Sequence, residues 1–186
     1  MKNLLFTLAL LVSFSSFGQT TEQHLDSGIS KANLGDYYGA ISDFNKSIIV
    51  DPNNVQAYWN LADSKLKIND YKGSLSDYNK AISLNPHKTV ISFVYYSRAS
   101  AKSSLEDYSG AINDLTKSID LDFELKKELL EKYGFTDDIV EILKKYDFRA
   151  DCYARLNDYT NACSDWEIAE KLGSKTAQGN ITKNCN

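Results

Sequence analysis

The chain has 186 residues, with 21 basic and 25 acidic side chains and a net charge of −4. A pI near 5.2 without a basic cluster argues against nucleic acid as a partner, since that affinity is carried largely by Lys and Arg on phosphates. Two prolines and nine glycines leave no room for a Ser/Gly-rich linker or a disordered tract, and the length suits one compact array rather than two domains.

Residues 1–18 stand apart from the rest of the chain. Lys2 gives a positive start, Leu4 to Val12 is apolar apart from Thr7, and Ser16-Phe17-Gly18 places small residues where a signal peptidase reads, so cleavage is expected before Gln19. The apolar run is shorter than the roughly 20 residues a membrane-spanning helix needs, and no integral membrane segment is expected in the mature chain. No cysteine follows the run to take a lipid anchor. The protein is therefore expected outside the cytoplasm, periplasmic or secreted, with residues 19–186 forming a single domain.

From here the chain repeats itself. Gly35 to Pro52 (GDYYGAISDFNKSIIVDP) returns as Asn69 to Pro86 (NDYKGSLSDYNKAISLNP), Glu106 to Phe123 (EDYSGAINDLTKSIDLDF) and Asn157 to Gly173 (NDYTNACSDWEIAEKLG). Asp36 and Asp70 are 34 residues apart, and the next two intervals are 37 and 51, so a fixed unit carries its insertions between copies. Each aspartate is placed to cap a helix. Behind it an apolar stripe recurs at helical spacing, Ala40, Phe44, Ser47 and Ile48 in the first copy and Ser74, Tyr78, Ala81 and Ile82 in the second. A second stripe lies upstream, as in Tyr58, Leu61, Ala62 and Lys65. Each unit thus reads as a helix-turn-helix hairpin whose apolar face is buried only by stacking on the next.

On these residues the chain resembles the tetratricopeptide repeat family. The carrying positions are Gly28, Tyr37, Ala40, Phe44 and Pro52 in repeat one (21–54), and Tyr58, Leu61, Ala62, Tyr71, Tyr78, Ala81 and Pro86 in repeat two (55–88). Repeat three (92–125) has Tyr95, Ala99, Tyr108, Ala111 and Leu115, with Phe123 where the family has proline. Repeat four (143–176) has Tyr146, Ala150, Tyr153, Tyr159, Ala162, Trp166 and Ala169. The resemblance implies an all-α, right-handed superhelical array of hairpins.

Two stretches depart from the regular unit. Residues 126–142 read as a lengthened hairpin, one helix ending at Gly134 and the next starting at Thr136, Asp137 and Asp138. The polar tail 175–186 puts Ala177, Ile181 and Cys185 on one side of a short capping helix, which such arrays use to cover their last apolar face.

Catalytic and metal-binding patterns are not found. His24 and His87 have no ligand at metal spacing, and there is no phosphate loop, HExxH or GxSxG. Asp43, Asp77, Asp114 and Asp165 recur once per repeat, but Lys46, Lys80 and Lys117 follow three of them by three residues, which reads as surface helix pairs rather than calcium ligands. No cofactor is expected. An oxidising compartment would pair two of the three cysteines: Cys163, on the last repeat's second helix, with Cys185 on the capping helix, or Cys152 with Cys163.

What remains is a binding surface. In the resembled family the first helix of each hairpin lines a concave groove. That register assigns Leu25, Ile29, Ala32 and Asn33 in repeat one, Ser100 and Ser103 in repeat three, an aromatic centre of Trp59, Phe93 and Tyr96, and a mixed-charge rim of Asp63, Lys67, Asp147, Asp151 and Arg155. Trp59 and Tyr96 are expected side by side. The carboxylate clamp of some family members needs Lys and Asn where this chain has Leu25 and Ile29, so that activity is not implied. The reading is a non-catalytic module that holds a peptide or protein in the groove. The alternative is a structural subunit of a cell-envelope assembly, making permanent contacts through convex faces and residues 126–142.

Overall fold

Nine helices follow one another in the computed structural model, which describes residues 21–133 and 139–185; no strand occurs among them. They are α1 (21–33), α2 (Tyr37–Val50), α3 (Val55–Lys67), α4 (Tyr71–Ser83), α5 (Lys88–Ser104), α6 (Tyr108–Tyr133), α7 (Ile139–Arg155), α8 (Tyr159–Lys171) and α9 (Lys175–Asn184). The expected signal peptide and the expected turn at Gly134, Thr136, Asp137 and Asp138 lie outside the described residues.

The hairpin turns are built alike. Asp36, Asp70, Asp107 and Asp158 accept from the backbone N–H three residues on, at 2.9, 3.0, 2.9 and 3.2 Å. Each satisfies one donor that has no partner within the helix. The residue before each cap has left-handed backbone: Gly35 at φ 82°, Asn69 at 62°, Glu106 at 61° and Asn157 at 60°. Glycine and asparagine adopt that conformation readily, whereas Glu106 is held there at a cost.

The ends of the second helices follow from proline. Pro52 and Pro86 lie just past the ends of α2 and α4, and proline neither donates to a helix nor tolerates one behind it. Repeat three has Phe123 instead, and α6 runs straight through it to Tyr133.

The chain divides into two compact units between Leu84 and Asn85. The division falls in a turn that the repeat pattern marks as an ordinary inter-repeat junction. In the first unit, Gly28 gives α1 and α2 their close approach, for a Cβ there would stand 2.5 Å from the Phe44 ring. Leu25, Ala40, Phe44, Ala57 and Leu61 form its core; full burial of a ring such as Phe44 contributes about 2–3 kcal/mol. In the second unit, Ala99, Ala111, Leu115 and Cys152 form one core cluster. Ile119, Ile142, Tyr146, Ala150, Ala162, Trp166, Ala169 and Ala177 form another, with Ile181 and Cys185 of α9 packed against it. Cys163 and Cys185 are joined by a disulfide, with Cα atoms 5.7 Å apart.

The aspartates recurring on the second helices are not the surface pairs the sequence spacing predicted. Each turns inward and takes a cation from the first helix of its own hairpin: Lys31 to Asp43 at 2.6 Å, Lys65 to Asp77 at 2.6 Å, Arg98 and Lys102 to Asp114 at 2.7 and 2.8 Å, and Arg149 to Asp165 at 2.7 Å. Of the three expected local partners, Lys46 reaches Asp43 at 2.7 Å, while Lys80 and Lys117 lie over the rings of Tyr58 and Tyr95. Hydrogen bonds from Lys31, Lys46 and Ser27 hold the Asp43 carboxyl well below the usual carboxylate range. Spacing along one helix could not show this, because the cation sits 12 to 16 residues upstream of its acid, across the hairpin.

Candidate functional site

Trp59, Asp63 and Lys67 belong to the first unit, and Phe93, Tyr96, Asp147, Asp151 and Arg155 to the second. In the first, Leu25 and Ile29 are not groove residues, because Leu25 is 8% exposed and Ile29 and Ala32 pack onto the same core. One turn apart on α3, Trp59 and Asp63 are half-buried, while Lys67 is exposed. The carboxylate of Asp63 accepts from the hydroxyl of Tyr78, a fully buried ring on α4.

In the second unit the aromatic residues surround a cation that the repeat register did not single out. Lys145 on α7 is 1% exposed. Its ammonium donates to Asp122 Oδ2 at 2.6 Å and to Ser92 Oγ at 2.9 Å. It also lies 5.5 Å from the Phe93 ring centre and 5.9 Å from that of Tyr96. Tyr96 meets Phe148 edge to face at 6.1 Å, and burial, with the charge of Glu141 adding, raises its phenol above the ordinary value. Tyr96 therefore has packing partners of its own; Phe93 keeps 38% of its surface open. The clue in the sequence is that Lys145 falls on the apolar stripe of Ile142, Tyr146 and Ala150, where a lysine needs an acid. Ser92 is no nucleophile here, because it is 2% exposed and donates to Asp122.

Asp147, Asp151 and Arg155 follow one another by one helical turn on α7. Asp147 accepts from Ser174 Oγ at 2.5 Å. Asp151 keeps an exposed edge, yet burial pushes its carboxyl above the usual range, opposed by the Trp166 indole and reinforced by the charge of Asp147. Asp151 and Arg155, with Phe148 and Cys152, form the α7 wall of a 280 Å³ cavity whose other walls are Ser103 and Ser104 of α5 and Tyr108 of α6. Cys152 contributes no reactive thiol, since burial pushes it up to about 11.

The two hairpins whose first helix carries an acid at this register, Asp63 and Asp151, have Tyr78 and Trp166 behind it. The two that lack the acid, with Ile29 and Ser100, have Phe44 and Leu115, which have nothing to donate. A buried hydroxyl or indole N–H calls for an acceptor. Among the described residues no three His, Cys, Asp or Glu side chains gather to hold a metal ion, and no helix is long and apolar enough to cross a membrane.

The tetratricopeptide repeat family model matches residues 55–88 and 94–125. No curated protein matches the chain. Among solved structures, MamA from Desulfovibrio magneticus RS-1, from residue 41 to its end, is 24% identical over 82% of this chain and 75% of that one, with a TM-score of 0.67. The first TPR domain of human RPAP3 is 20% identical over 76% of this chain and 96% of its own, with a TM-score of 0.59. The first TPR of Spaghetti (RPAP3), solved bound to the HSP90 peptide SRMEEVD, is 25% identical over 61% of this chain and 90% of its own, with a TM-score of 0.53. The MamA and human RPAP3 structures share the all-helical fold, and the two matched segments are tetratricopeptide repeats within it.

Proposed function

We propose that the protein is an exported, non-catalytic module that holds a peptide or protein partner on the first-helix faces of its repeats. The observation that carries the reading is the cavity between α5, α6 and α7. It is lined by Ser103, Asp151 and Arg155, three residues that the repeat register assigns to the groove, and it offers donors, acceptors and the aromatic wall of Phe148. Phe93, open to solvent on α5, supplies the aromatic anchor that such surfaces use. Export is supported by the pattern of residues 1–18 and by the Cys163–Cys185 disulfide, a bond that persists in oxidising compartments.

The test is affinity capture from the source organism with the native protein and with Phe93→Ala. Loss of an aromatic anchor costs at least about 2 kcal/mol of binding, so the variant is expected to lose the captured partner while keeping its helical signal and melting temperature. Undiminished capture by a folded Phe93→Ala protein would sink the reading.

A further inference from the structure

We infer that α9 is a redox-latched cap, docked on the last repeat while the Cys163–Cys185 bond is intact and released when a dithiol reduces that bond. The inference does not rest on the groove reading. α9 is tied at both ends and weakly held between them. At its start, Ser174 Oγ accepts from the Ala177 backbone N–H at 3.1 Å and donates to Asp147 Oδ2 on α7 at 2.5 Å. At its end, the disulfide joins Cys185 to Cys163 on α8.

Between the ties the docking face is small. Ala177 is fully buried and Ile181 half-buried against the core cluster of repeat four, whereas Lys175, Thr176, Gln178, Gly179, Thr182 and Lys183 are exposed. The helix has 10 residues, and an isolated helix shorter than roughly 12–15 residues is marginal in water. Gly179 and Asn180, in its middle, are poor helix formers. Two apolar side chains and one serine hydroxyl therefore have to hold a segment that does not hold itself. The bridge supplies the remainder, because it closes a span of 22 residues and keeps α9 beside α8.

The chemistry is confined to that bridge. Cys163 and Cys185 are both half-buried, so a small dithiol can reach their sulfurs, while Cys152 is 1% exposed and takes no part. One thiolate of the dithiol attacks a bridge sulfur, forming a mixed disulfide and expelling the other cysteine as its thiolate. The second dithiol sulfur then closes on the first and expels the remaining cysteine. Two electrons pass from the dithiol, which becomes a disulfide, and its two protons end on Cys163 and Cys185. Release of α9 then opens the part of the core cluster that Ala177 and Ile181 cover.

The test is amide hydrogen exchange on the native protein, followed by mass spectrometry before and after dithiothreitol, and on the Cys163→Ser/Cys185→Ser variant. After reduction the amides of residues 177–184 are expected to exchange faster by on the order of a hundredfold, the effect of losing a 22-residue closure. Those of α5, α6 and α7 are expected to keep their rates, and reoxidation restores the protection of α9. The serine variant is expected to show the fast α9 rate with or without dithiothreitol. Unchanged α9 protection in either the reduced protein or the variant means a cap that docks without its bridge, and overturns the inference. Loss of protection throughout α7 and α8 overturns it as well, because the bridge then supports the whole repeat rather than a movable cap.

Discussion

Aspartates on the second helices and those on the first helix of repeat four are used in different ways. On the second helix, Asp43, Asp77, Asp114 and Asp165 are turned inward and matched by a cation from the first, so every charge is closed within its own hairpin. On the first helix of repeat four, Asp147 and Asp151 meet only a serine hydroxyl and an indole. Charges that hold two helices together are paired inside the fold, whereas Asp151 keeps an exposed edge on the cavity between α5, α6 and α7.

The strongest way to break the contrast is on the inner side. Asp114→Ala leaves Arg98 and Lys102 facing a site that is 1% exposed. Removing one partner of a buried pair costs about 3–5 kcal/mol, which denaturant unfolding would register as a large drop in midpoint. Asp151, at an exposed position on α7, is expected to behave otherwise, with Asp151→Asn within about 0.5 kcal/mol of the native protein, the usual range for surface substitutions. Equal losses at Asp114 and Asp151 would erase the distinction.

Much of the fold was legible in the sequence because its cues are local. A capping aspartate acts within three residues, the apolar stripe within one turn, and proline at the residue it occupies. Even the missing proline was visible, and the run of α6 through Phe123 follows from it. The ladder of ion pairs was misread because its partners lie across the hairpin, where spacing along one helix gives no hint of them. Lys145 was missed for the same reason, since Asp122 and Ser92 approach it from two other helices. Of the site, register alone gave Asp151, Arg155 and Ser103 to one face, and the cavity collects all three. Register did not show that Tyr96 spends part of its surface on Phe148, nor that Leu25 and Ile29 turn into the core.

A smaller effect sharpens the account of the turns. Glu106 stands at φ 61° in the position Gly35 fills in repeat one. Glu106→Gly relieves that strain at the cost of some chain entropy in the unfolded state, and a gain of up to about 1 kcal/mol in unfolding free energy is expected. A loss at this position would mean that the Glu106 side chain contributes more than its backbone costs.

The central claim is that the partner lies on the first-helix face. The most direct measurement places a photo-crosslinking residue at Phe93 on α5 in one protein and at Phe123 on α6 in another, both positions being solvent-exposed at 38% and 52%, and irradiates each in the source organism. A discrete adduct from position 93 and none from position 123 is the predicted result; an adduct from position 123 with position 93 silent would contradict it and place the contact on the second helix, as a structural subunit of a larger assembly would.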